Sequence, residues 1–175
     1  MFAGILNKTL MSKKSVRTSP LRKAALKAGF RSGLEMKAAG ILTKLKIKWT
    51  FESLKLDYTI KSPVYKKMKC DKCGSNQMTI FKRYTPDFIL EDLELILEIK
   101  GRFSAADRKK MSAVTKQNPD RDIIIVFQYP NTRLTKKRKK TNAMWCNEQG
   151  IRCMGIGDME EYFTELLDYL NGYKR

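Results

Sequence analysis

The chain contains no histidine. That absence removes Ser-His and Cys-His nucleophilic systems, histidine-based nucleases and every zinc site that needs an imidazole. Any chemistry carried here must run on carboxylates, lysines or metal ions. Long apolar runs are also missing: nothing approaches the ~20 residues that span a bilayer, so no membrane partner is expected. The apolar start Met1–Leu6 is much shorter than a secretory core and is followed by basic residues, which places the product in the cytoplasm. Four cysteines are too few for a secreted disulfide scaffold and leave reduced thiols or a metal site. Acidic residues are scarce, at 18 against 36 Lys and Arg.

The resulting formal charge of +18 self-repels unless an acidic partner neutralises it, and nucleic acid is the commonest such partner. A hydrophobic content of 42% with 10% aromatics is enough to build a core, and 175 residues suit one domain.

Residues 1–29 carry seven Lys or Arg and no acid, and read as a flexible basic arm. Order is expected from Phe30 to the C-terminus. Ser32 followed three residues later by Glu35 has the form of a capping box. Leu34, Ala38, Ile41, Leu42 and Leu45 then make one apolar stripe, predicting a helix from about Gly33 to Lys46. Strands are predicted near Trp49–Glu52 and Lys55–Ile60, and residues 62–82, with Cys70 and Cys73, read as an inserted hairpin. Tyr84–Leu90 and Leu93–Lys100 form a strand pair around a turn at Glu91-Asp92. Ala105–Gln117 reads as a helix. The wholly apolar Ile123–Phe127 suits a strand buried on both faces, reached by a right-handed crossover. A short helix over Thr141–Gln149, a strand over Ile151–Ile156 and a helix over Asp158–Leu170 complete an α/β fold, a mixed β-sheet flanked by helices.

Side chains alternate along a strand, so Glu98 and Lys100 share one face while Ile99 enters the core. A two-residue turn at Glu91-Asp92 sets Asp87 opposite Ile96, on that same face and diagonal to Glu98. Two carboxylates brought together repel unless a cation sits between them, and a hard divalent ion such as Mg²⁺ does this well. Lys100 beside them is placed to orient or help deprotonate an attacking water and to neutralise charge on a phosphate. The same residues also have plainer explanations: turn chemistry for Asp87 after Pro86, and a solvated, salt-bridged strand face for Glu98 and Lys100.

Pro86-Asp87 and, eleven residues beyond Asp87, Glu98-Ile99-Lys100 resemble the PD-(D/E)XK nuclease motif. Around them, Phe30-Arg31-Ser32-Gly33-Leu34-Glu35, Tyr84-Thr85-Pro86-Asp87-Phe88, Asp107-Arg108-Lys109-Lys110 and Ile125-Val126-Phe127 occur in the order seen in the phage endonuclease I family of Holliday-junction resolvases. The resemblance spans about Phe30 to Ile156. It implies a restriction-endonuclease-like core in an intertwined homodimer that cuts four-way junctions and other branched DNA with Mg²⁺ or Mn²⁺. It also implies that Asp87, Glu98, Glu35 and the backbone carbonyl of Ile99 bind metal, that Lys100 assists the attacking water, and that Glu35 comes from the other protomer.

The loop residues Arg133, Lys136, Lys137, Arg138, Lys139 and Lys140, with the N-terminal arm, are the expected phosphate contacts, which carry little sequence information. Arg31, Arg102, Arg108 and Lys109 lie near the motifs and are expected to approach the scissile strand. Cys70 and Cys73 form half a zinc knuckle. Completing it would require Cys146 and Cys153, or the same pair from a second copy, so a zinc-free hairpin tip is favoured over structural Zn²⁺. Two rival functions remain: another PD-(D/E)XK endonuclease, restriction-like or repair, acting on duplex DNA, and a non-catalytic basic DNA-binding module.

Overall fold

The structure, a computed structural model, describes residues 19–63, 72–74, 77–135 and 139–173. Its first element is unexpected. Within the stretch read as a flexible arm, Pro20–Lys27 forms helix α1, with Ser19 as N-cap and Pro20 at the first helical position, where the missing N–H costs nothing. α1 lies beside α2 (Gly33–Lys44): a Cβ on Gly33 would fall 2.7 Å from the Leu21 side chain, so glycine there admits the close approach. Residues 1–18 of the arm lie outside the described residues.

The main sheet has the order β1-β4-β5-β6-β7, formed by Thr50–Phe51, Phe88–Leu90, Leu95–Lys100, Asp122–Phe127 and Arg152–Gly155. β1, β4 and β5 run antiparallel in turn, and β5, β6 and β7 run parallel. Helices α3 (Ala105–Gln117) and α4 (Asn142–Gln149) make the two parallel crossovers, and α5 (Met159–Tyr173) closes the fold. The sheet is therefore mixed and helix-flanked.

Alternation along β5 divides the core. Leu95, Leu97 and Ile99 pack with α2 and α5 through Ala38, Leu42, Met159 and Phe163. Ile96 faces the other way, with Ile123, Ile125 and Phe127 of β6, onto α3 and α4 through Met111, Val114, Trp145 and Cys146. Along α5, Met159 and Phe163 are buried, Leu166 and Leu167 are half-buried, and Leu170, expected on the inner side, is exposed.

Lys55–Ile60 is a strand, as expected, and buries Leu56 and Tyr58, but it lies outside the main sheet. β2 (Leu56–Pro63) pairs with β3 (Gln77–Tyr84) in a separate two-stranded hairpin, from Leu56↔Tyr84 to Pro63↔Gln77. The inserted element thus begins earlier than its cysteines suggest. It rests on α3: the Gln117 side chain accepts from Thr59 N–H at 2.9 Å and donates to Thr59 C=O at 2.9 Å. The Asn118 amide also donates to Asp57 C=O. Residues 64–71 and 75–76, with Cys70, lie outside the described residues; Cys73 is exposed.

The turn between β4 and β5 also differs from expectation. Glu91–Leu93 forms a 3₁₀ turn and Glu94 takes a left-handed conformation, φ 53°. Leu90 consequently pairs with Leu95 and Ile89 with Ile96. The shift of two residues leaves every side chain on its predicted face but brings Asp87 level with Glu98 rather than with Ile96.

Leu97 is fully buried at the centre of the sheet. Leu97→Ala is expected to lower unfolding free energy by about 2–5 kcal/mol, measured by urea denaturation, with an unchanged m-value.

Candidate active site

Asp87 and Glu98 are buried carboxylates, 3% and 2% exposed, the first just before β4 and the second toward the C-terminal end of the central strand β5. This end of the sheet is formed by the C-terminal ends of β5, β6 and β7 and by the start of β4. Irregular backbone at Thr85–Asp87 separates β3 from β4 and turns Asp87 in toward β5, where its Oδ2 accepts from Ile99 N–H at 2.7 Å. Glu98, mid-strand, points toward α3 and the hairpin base. Its Oε2 accepts from the Tyr84 hydroxyl at 2.5 Å, and its Oε1 lies 2.6 Å from Lys100 Nζ and 3.1 Å from Lys110 Nζ. The Lys110 ammonium also sits 4.7 Å from the Tyr84 ring centroid. The salt-bridged reading of Glu98 and Lys100 is thus correct about the pairing but not about solvation, because the pair is largely buried.

These surroundings set the protonation states. Burial, then the nearby Glu98 charge, pushes the Asp87 carboxyl up to about 7 against the opposing effects of the Ile99 N–H, Lys100 and Arg31. Burial by itself would lower Lys100; Glu98 and Asp87 outweigh it and raise the ammonium above its ordinary value. Burial, reinforced by Glu98, lifts the Tyr84 phenol well above its ordinary range, so it acts as a hydrogen-bond donor.

Glu35 is held in the first turn of α2, in a variant of the expected capping box that takes Arg31 N–H in place of the N-cap N–H. Its N–H donates to Ser32 Oγ at 3.2 Å, the Ser32 hydroxyl donates back to Oε1 at 2.9 Å, and Arg31 N–H donates to Oε2 at 2.8 Å. The Arg31 guanidinium then joins Glu35 to the rest of the site. Its Nη2 is 2.6 Å from Asp87 and 2.8 Å from Glu52, and its Nε is 4.0 Å from Glu35. Arg31, expected at phosphates, is here a counter-ion for carboxylates. Among the described residues no three Asp, Glu or Cys side chains converge as a metal cluster. The donor set nevertheless suits a hard cation: oxygen ligands only, two of them buried like charges neutralised by Arg31, Lys100 and Lys110.

Three participants escaped the sequence reading. Lys110 was passed over in favour of Arg108 and Lys109, whose side chains are bound to the carbonyls of Phe103 and Lys61. Its helical phase was available as a signal, since Lys110 is four residues before Val114 and beside Met111, both buried in α3. Tyr84 opens the Tyr84-Thr85-Pro86-Asp87-Phe88 motif, in which strand periodicity gives it no part in the site. Glu52, which follows β1 at φ 50° and donates its N–H to Asp87 C=O, left no sequence signal.

Of the other expected DNA contacts, Arg102, Arg133 and Lys139 are exposed, Lys140 pairs with Glu148, and Lys136, Lys137 and Arg138 lie outside the described residues. Cys146, buried on α4, and Cys153, half-buried on β7, are neighbours and free thiols.

A carboxyl raised in the folded state contributes stability that is complete at acid pH and is lost as pH rises through its folded value. The metal-free protein is therefore expected to lose stability between about pH 4 and pH 7 on account of Asp87. Asp87→Asn removes this dependence. Relative to wild type it should gain on the order of 2–3 kcal/mol between pH 5 and pH 8, read from denaturant unfolding in chelator. An equal difference at both pH values would show that Asp87 does not carry the shift.

The sequence profile of phage endonuclease I matches residues 18–155. Over 123 residues the chain is 34% identical to the protein named Endonuclease I of Escherichia phage T7, covering 70% of each chain. Over 122 residues it is 32% identical to Endodeoxyribonuclease 1 of Enterobacteria phage T3, covering 70% of this chain and 68% of that one. The match takes in α1, α2 and every residue of the carboxylate site, and the chain belongs to the phage endonuclease I family, a family of DNA endonucleases.

Proposed function

We propose that this endonuclease resolves four-way junctions and other branched DNA by divalent-metal-dependent hydrolysis of a phosphodiester, from a restriction-endonuclease-like core. The observation that carries this reading is the buried Asp87–Glu98 pair near the C-terminal end of β5 with Lys100 bound to it. Asp87, Glu98 and the Ile99 carbonyl would hold Mg²⁺ or Mn²⁺, with Glu35 joining once it leaves its capping box. Such an ion, when bound, supplies Lewis-acid activation of water and neutralises charge on the phosphate.

The remaining work falls to the chain. Tyr84 and Lys110 fix the Glu98 carboxylate, and the Ile99 amide fixes Asp87. Lys100, kept protonated by Glu98, faces the scissile phosphate as a cation and orients the attacking water. Water attacks phosphorus and the P–O3′ bond breaks, so the 3′ oxygen leaves as a hydroxyl, taking up the proton that the water gives up, and the phosphate stays on the 5′ oxygen. Arg31, Arg102, Arg133 and the basic loop would meet the backbone, so that DNA shape selects the substrate.

A homodimer would set two such sites on two strands, as paired cuts require. Within the single chain α2 already packs on the sheet. Exchange between protomers would move α2 and β1 together, with the β2–β3 hairpin as the connection.

The test compares wild type, Asp87→Asn and Lys100→Ala on a four-way junction and on matched linear duplex, with and without Mg²⁺. Wild type should cut the junction only with Mg²⁺, and each substitution should slow cutting by roughly 10²–10³-fold. Equal cutting by Asp87→Asn would remove the site assignment. Equal rates on junction and duplex would remove the resolvase reading and leave a nuclease of the duplex-cutting kind.

A further inference from the structure

Beside the carboxylates a groove of 970 Å³ opens between the start of α2 and the C-terminal ends of β5 and β6. Its lining contains Arg22, Arg31, Lys37, Gly101, Gln128 and Tyr129, and it includes no carboxylate. Two of these residues tie it to the chemistry: Gly101 follows Lys100 directly, and Arg31 is bonded to Asp87. Open α/β sheets bind ligands at this end of their parallel strands.

Tyr129 is the unusual member. Its side chain is exposed, the residue being 65% accessible, although the segment that carries it is firmly anchored. Gln128 N–H donates to Lys100 C=O at 2.9 Å, Thr132 N–H to Tyr129 C=O at 3.2 Å, and Ala143 N–H to Pro130 C=O at 3.0 Å. An aromatic ring displayed on a fixed backbone, among cations and next to a phosphodiester site, suits the face of a nucleobase.

We infer that this groove binds one unstacked nucleotide adjoining the scissile phosphate, with its base against the Tyr129 ring and its flanking phosphates met by Arg22 and Lys37. The inference rests on the nuclease reading of the carboxylate site and extends it to substrate choice. Matched duplex keeps its bases stacked and must be opened at a cost of a few kcal/mol before one can enter. A branch point interrupts stacking on one side of the base pairs that flank it, so a base there is exposed at lower cost. The groove thus discriminates branched from linear DNA without reading sequence.

The experiment uses the full chain with a four-way junction and Mg²⁺. Tyr129→Ala should raise KM for the junction roughly tenfold and change kcat less than about twofold, as expected for binding shared by ground and transition states. Tyr129→Phe and Tyr129→Trp, which keep a ring, should restore the wild-type KM. An unchanged KM in Tyr129→Ala, or a loss in Tyr129→Phe equal to that in Tyr129→Ala, overturns the inference. A second readout does not depend on cutting. In chelator, tryptophan emission of Tyr129→Trp should be quenched by the junction more than that of wild type, and equal quenching overturns the inference. If wild type cuts junction and duplex equally while the quenching persists, the resolvase reading falls and the nucleotide groove stands.

Discussion

Two carboxylates, Asp87 and Glu98, are buried side by side near one end of the central strands of a sheet, and most of the local structure serves to make that arrangement tolerable. Each unpaired buried charge would be costly enough to protonate or to unfold its surroundings. Here Arg31 arrives from the loop before α2, Lys100 from β5 and Lys110 from α3, while Tyr84 and the Ile99 amide donate hydrogen bonds. Elements distant in sequence meet at this end of the sheet because each brings a compensating group. Asp87 remains the least satisfied member, with its carboxyl pushed up to about 7.

The positive excess of the chain and the negative hollow within it have separate roles. At +18 the molecule attracts polyanions over long range. Close to the site the surplus cations are bound to carboxylates, so they are not simply available to phosphate. Arg31 shows the competition plainly: it lines the nucleotide groove and also bridges Asp87 and Glu52.

Alternation along β5 made the common face of Glu98 and Lys100 legible, and the wholly apolar Ile123–Phe127 announced a strand buried on both sides. The turn after β4 was not legible, because a left-handed Glu94 has no residue-type signature. The error in register was even, so the face assignment survived it. Lys55–Ile60 was misplaced since a strand that packs on a helix has the same residue pattern as one in the main sheet. α1 was missed because basic charge masked a capped, proline-initiated turn. The tertiary partners of Glu98 could not be read from strand periodicity, as they come from another helix and from the hairpin base.

Gln117 grips Thr59 through both backbone polar groups, and Asn118 holds the carbonyl of Asp57, so α3 clamps the hairpin at its base. The same helix carries Lys110 to Glu98, and Tyr84 closes the hairpin opposite Leu56. The clamp isolates the active centre from whatever happens farther out. Lengthening or shortening the chain beyond Lys61 changes loop entropy only logarithmically and leaves Tyr84 in place. In engineering terms, the clamped base is a mounting point, and a segment carried on the hairpin would reach the active centre only by way of Gln117, Asn118 and Tyr84.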